Sequence, residues 1–162
     1  MRHPAPLLLL LLLMVLAACT GPADPCTRHY EPFPDLIGGR ARTAQNAALL
    51  DAMARYNAGD LTAAIPVLEA ELHDAPNEEQ VRMLLASALL GAGRPYDAEL
   101  QLDFIETSAR NDYDEAAAWY TVLCWLCSGQ HDRALEGARA IAARPRHAYK
   151  SKAEALVKDL SR

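Results

Sequence analysis

Leu85-Ala86-Ser87-Ala88-Leu89-Leu90-Gly91-Ala92-Gly93-Arg94-Pro95-Tyr96-Asp97-Ala98-Glu99-Leu100-Gln101-Leu102 carries a pattern that recurs through most of the chain. Small residues, Ala88 and Ala98, stand five positions before and after Gly93; Leu90 stands three before it and Leu102 nine after. Gly59 is framed in the same way by Ala54, Tyr56, Ala64 and Leu68, and Gly129 by Cys124, Leu126, Ala134 and Ala138. The three glycines are 34 and 36 residues apart. A fixed period of this size is the mark of stacked helical hairpins, each unable to bury its apolar face alone. The glycine lets the chain leave the first helix through a turn that a side chain would strain. The small residues let the two helices approach, and the larger ones fill the space between hairpins.

These residues resemble the tetratricopeptide repeat family over roughly residues 45–160. The second copy carries the likeness best, with Leu85, Ala86, Leu89, Gly93, Ala98 and Leu102 at the family's signature positions. The first copy has Gly59-Asp60, Ala64 and Leu68, then Pro76-Asn77 where the family ends its second helix. The third runs from Trp119-Tyr120 through Cys124-Trp125 to Gly129 and Ala134-Leu135. Leu49, Tyr56 and Trp119 sit one residue closer to their glycines than the consensus, and Arg110 and Arg146 replace the closing proline. The resemblance implies a short all-α solenoid of three hairpins with a C-terminal capping helix. It also implies a concave groove, lined by the first helix of each hairpin, that receives a protein or peptide partner. Leu49, Met53, Tyr56, Met83, Leu90, Trp119 and Leu123 are the expected groove residues, with Ser87 at the position matching Met53 and Leu123. The alternative is that the shifted register turns Leu49 and Trp119 into the core. The groove lacks lysine, so the family subtype that clamps a C-terminal carboxylate is not expected.

The pattern predicts hairpins over 44–58 with 61–74, 78–91 with 96–109, and 113–128 with 131–143, then a last helix over 148–160. Asp60 is a suitable N-cap, Pro66 should bend its helix mildly, and Pro95 marks a helix start. The last helix places Tyr149, Ala153, Leu156 and Leu160 on one stripe, as a cap over the open end of an array requires. Alanine and leucine are abundant and β-branched residues sparse, which favours helix. Residues 20–43 have no period and contain Pro22, Pro25, Pro32 and Pro34. They read as a tether in which Tyr30, Phe33 and Leu36 can dock onto the first hairpin.

The first 18 residues read as a signal peptide. Arg2 is followed by a ten-residue apolar run from Leu7 to Leu16, too short to span a membrane. Leu16-Ala17-Ala18-Cys19 resembles a bacterial lipobox, which implies cleavage before Cys19 and attachment of acyl chains to it. Each buried methylene then contributes roughly 0.8 kcal/mol to membrane anchoring. Thr20, in place of aspartate, implies transfer to the outer membrane. Residues 19–43 would then form the tether and 44–162 the repeat domain, facing the periplasm. Removing residues 1–18 leaves 15 basic against 21 acidic residues, a net charge of −6, which repels nucleic acid and anionic lipid. Lipidation of Cys19 leaves Cys26, Cys124 and Cys127, an odd number in a compartment that permits disulfides. One thiol must stay free or pair between chains.

The sharpest chemical lead is Cys124-Trp125-Leu126-Cys127. Redox CxxC pairs sit at a helix N-terminus in a βαβ setting, whereas this one lies near a helix C-terminus, where the dipole disfavours a thiolate. Cys124 also occupies the small-residue slot of Ala54 and Ala88. Cys124, Cys127 and His131 have metal-like spacing, with a fourth ligand available only from Cys26 or His29, but a buried pair of small sulfurs explains them more simply. His73 and His147 fall at hairpin ends, and the acids of Asn111-Asp112-Tyr113-Asp114-Glu115 suit a helix start. No nucleophile elbow, P-loop, HExxH or glycine-rich nucleotide loop is present, and no cofactor is expected. The expectation is a non-enzymatic, lipid-anchored module that binds or scaffolds protein in the bacterial envelope, in outer-membrane assembly, secretion or pilus biogenesis. A membrane-tethered thiol oxidoreductase using Cys124 and Cys127 is the alternative, and self-assembly through an open end of the array a third.

Overall fold

The computed structural model describes residues 24–109 and 112–162, so the expected signal peptide and Cys19 lie outside the described residues. Eight helices are found among the described residues: α1 (Pro25–His29), α2 (Ala47–Asn57), α3 (Leu61–Asp74), α4 (Glu79–Gly91), α5 (Pro95–Glu106), α6 (Asp114–Cys127), α7 (His131–Ala142) and α8 (Lys150–Leu160). The pairs α2/α3, α4/α5 and α6/α7 are the three hairpins, and α8 packs on α7 as the terminal cap. The result is a short all-α solenoid.

Each hairpin turns at its marker glycine, with φ of +86° at Gly59, +77° at Gly93 and +79° at Gly129. The following amide reaches back five residues: Asp60 to the Arg55 carbonyl, Arg94 to that of Leu89, and Gln130 to that of Trp125, at 2.8–2.9 Å. This is the Schellman closure, and only glycine adopts its left-handed residue without a steric penalty. Asp60 then caps α3 by accepting from the Ala63 amide at 3.3 Å, and Pro95 opens α5 at its first position.

The core is continuous through the array. Ala64 and Leu68 of α3, Ala98, Leu102 and Ile105 of α5, Ala134 and Ala138 of α7, and Ala153 and Leu156 of α8 are all buried. The second helices thus bury one stripe each. The first helices behave differently, as α6 buries Ala116, Ala117 and every residue from Trp119 to Cys124, and α4 buries every residue from Met83 to Leu90. A helix apolar on all sides must be covered on all sides. Partner helices cover part of that circumference, and the segment ahead of α2 covers the rest. The small-residue slots at Ala88 and Ala98 lie at close contacts, whereas Ala54 is exposed, because the first helix α2 has a neighbouring hairpin on one side only.

Candidate functional site: a groove with its own occupant

Across the first helices of the three hairpins runs the segment ahead of α2, which the sequence suggests is a tether. Pro32 and Pro34 hold the backbone extended on both sides of Phe33. Phe33 and Ile37 are buried, while Glu31, Pro32, Pro34 and Leu36 face outward, with Leu36 58% exposed. Phe33 lies edge-on against Tyr113 and Tyr120, at ring-centroid distances of 6.2 and 5.9 Å. Tyr30 and Phe33 therefore dock as expected, but against α4 and α6 as well as the first hairpin. Ile37, not Leu36, is the second anchor: the chain bends at 36–37, where Asp35 Oδ1 accepts from the Ile37 amide at 2.7 Å and from the Gly38 amide at 2.8 Å, and past this turn Ile37 is buried while Leu36 is left outside.

Three side-chain hydroxyls, one from the first helix of each hairpin, receive the main chain of this segment. Tyr56 of α2 donates to the Phe33 carbonyl at 2.8 Å. Ser87 of α4 accepts from the Phe33 amide at 2.8 Å, and its Oγ lies 2.9 Å from the Tyr56 hydroxyl. Tyr120 of α6 donates to the Glu31 carbonyl at 2.7 Å. Tyr30 adds a bond from its hydroxyl to the Ser87 carbonyl at 2.8 Å, where Gly91, lacking a side chain, leaves room for its ring. Burial pushes the hydroxyls of Tyr30, Tyr56 and Tyr120 above the ordinary phenol value, so they remain protonated donors. The segment's two ends are tied as well. Cys26 is disulfide-bonded to Cys127 across 101 residues of sequence. Asp159 of α8 meets Arg28 at 2.8 Å and His29 at 3.1 Å, and the His29 contact, with the Arg28 charge, holds its carboxyl below the usual range. Lys152 pairs with Glu31, Arg40 with Gln80, and Arg42 with Asp51.

This arrangement corrects the expected groove list. Leu49, Met53, Tyr56, Met83, Leu90, Trp119 and Leu123 are all buried, so none is an open partner surface. Trp119 is 1% exposed and stacks on Tyr149 ahead of the capping helix, with planes 14° apart. The register shift rotates Leu49 and Trp119 into the core, and of the seven residues only Tyr56 contributes a polar contact to the occupant. Ser87 and Tyr120, absent from that list, do the binding work beside it. The signal for Ser87 was legible: a lone hydroxyl inside the apolar stretch from Met83 to Leu90 needs a partner once buried.

Cysteine pairing also departs from the sequence lead. Cys127 bonds to Cys26 and not to Cys124, which is free and buried, its thiol pushed up by burial and by the nearby Glu99 and Asp103 carboxylates. The C-x2-C-x3-H run therefore does not assemble as a ligand set, since Cys26 and Cys127 are consumed by the disulfide and His29 is held by Asp159. His73 is exposed and His147 buried, its Nδ1 accepting from the Tyr149 amide at 3.2 Å. On the outer face, Tyr96, Leu100 and Phe104 of α5 form a stripe 58–63% exposed, with the Arg82 guanidinium 4.4 Å from the Phe104 ring centroid. Among the described residues no helix is long and apolar enough to cross a membrane. Compared with known proteins, the chain matches no family model, no curated protein and no solved structure.

Proposed function

We propose that this chain is a lipid-anchored, non-enzymatic protein-binding module of the bacterial envelope, tethered through Cys19 and working through its array of helical hairpins. The observation that carries this reading is the grip on residues 31–33: three hairpins each contribute a hydroxyl to one extended main chain. Main-chain recognition of this kind suits a protein or peptide partner, because hydroxyl-to-backbone bonds give affinity while side-chain pockets give specificity. The Cys26–Cys127 disulfide fits an oxidising compartment such as the periplasm, consistent with lipidation at the outer membrane. Outer-membrane assembly, secretion and pilus biogenesis are the processes such a module would serve.

The thiol-oxidoreductase alternative draws no support from the cysteines, since Cys124 is buried, carries an upshifted thiol and lacks a disulfide partner. The anchor is tested by metabolic labelling with a fatty-acid analogue. Wild type is expected to be labelled and membrane-bound, and Cys19→Ser unlabelled and released. A soluble, unlabelled wild-type protein would refute the envelope reading. Crosslinking in intact membranes then tests the binding role through recovery of a specific partner.

A further inference from the structure

We propose that residues 30–37 are a displaceable ligand bound in cis, locked in place by the Cys26–Cys127 disulfide. Thiol–disulfide exchange with a dithiol opens the groove to an extended trans peptide with an aromatic residue flanked by prolines. This rests on the protein-binding reading above and adds the ligand class and its control.

The contacts are those of a ligand. Hydroxyls of Tyr56, Ser87 and Tyr120 read only the amide and carbonyl groups of residues 31 and 33, which any extended peptide offers. Selectivity comes from the slot between Tyr113 and Tyr120 that takes Phe33, and from the site of Ile37 four residues on. Flanking prolines preorganise such a segment in the extended form, which lowers the entropy lost on binding. Of the ion pairs at its ends, Lys152–Glu31 and Arg42–Asp51 are exposed and hold weakly, while Arg28 and His29 meet the partly buried Asp159. The disulfide is thus the principal restraint on the N-terminal side.

Both cysteines of that bond are half-buried, so an external dithiol has access to it. One thiolate of the dithiol attacks a sulfur of the bond, forming a mixed disulfide and expelling the other cysteine as a thiolate, which takes up a proton. The second thiol of the reagent displaces the first cysteine. Two electrons pass to the protein, which leaves Cys26 and Cys127 as thiols and the reagent as a cyclic disulfide. Cys124 is not the attacking group, being buried and protonated.

The test uses a fluorescein-labelled peptide of residues 29–38 as probe and the full mature protein in detergent micelles. Peptide anisotropy is measured with oxidised wild type, with wild type in dithiothreitol, and with the double variant Cys26→Ser/Phe33→Ala. The occupant stays joined to α2 through residues 38–46 and so keeps an effective concentration of order millimolar. Loss of the disulfide removes its second tie and Phe33→Ala its aromatic anchor, so trans binding should tighten by about tenfold or more in the double variant over oxidised wild type, with reduced wild type between them. The same peptide with alanine at the phenylalanine should not bind. Far-UV circular dichroism establishes folding of each form. A folded double variant that fails to bind overturns the proposal, as does equal binding by oxidised wild type. An unfolded double variant overturns it too, because the segment would then be a permanent part of the core. Loss of peptide binding alongside a partner still crosslinked in membranes leaves the binding-module reading standing, so the two failures are told apart.

Discussion

Ser87 concentrates the polar work of the groove at one atom. Its Oγ faces the Phe33 amide and the Tyr56 hydroxyl, inside a helix otherwise apolar at that level. Replacing it by alanine strands a buried N–H, a loss typically of about 1–3 kcal/mol. Ser87→Ala should lower the urea midpoint accordingly and speed hydrogen exchange at the Phe33 amide, and an unchanged midpoint would mean that the segment is not held there. Trp119 tests the core assignment. Its burial against Tyr149 predicts that Trp119→Ala costs roughly 3–5 kcal/mol in thermal or chemical unfolding. Leu100→Ser, on the exposed stripe of α5, should change stability by no more than about 0.5 kcal/mol.

At the scale of elements, the short helix α1 is held between α6 and α8, and Asp159 is the carboxylate at that junction. Its pKa is lowered in the folded protein, first by the His29 hydrogen bond and then by the Arg28 charge. A depressed carboxylate pKa contributes stability that is present above its unfolded value, about 3.9, and lost as pH falls through the lower folded value. Wild type should therefore lose its melting-temperature advantage over Asp159→Asn as pH drops below about 4, with the two curves converging in acid. Parallel curves down to the lowest pH would place the Asp159 contact outside the stability of the fold. The helices themselves were legible. The expected span 61–74 coincides with α3, and the other expected helices end within three residues of those found, because glycine turns, Asp60 and Pro95 are local signals that need no tertiary partner. Helix α1 was missed, since five residues with one N-cap leave no period to read.

For the whole molecule, the disulfide couples the segment ahead of the first hairpin to the end of α6 across 101 residues. A bond closing so long a loop restricts the unfolded chain strongly, and such bonds typically contribute about 2–4 kcal/mol. Reduction, or Cys26→Ser, should lower the unfolding free energy by that amount while the folded hairpins persist. Alkylation of the non-reduced protein should modify Cys124 only after denaturation, and ready labelling in the native state would contradict its burial. The proposed sites divide along the same line. Seven apolar residues at matched distances from the glycines read as a groove, yet the period reports only that they share a helix face. Whether that face meets solvent, a neighbouring hairpin or another part of the same chain is set by packing.

By itself the sequence determined the all-helical class, the three hairpins with their turns and the terminal cap. These follow from propensity, glycine geometry and repeat spacing, all of which act over fewer than about forty residues. Only the tertiary structure decided that Cys26 meets Cys127, that Trp119 is core, and that Tyr56, Ser87 and Tyr120 converge on the backbone around Phe33. Those contacts join residues 23 to 101 positions apart, and no local pattern encodes them. They arise because the first helices leave a long apolar face open, and the segment ahead of α2, through Phe33 and Ile37, removes that face from water.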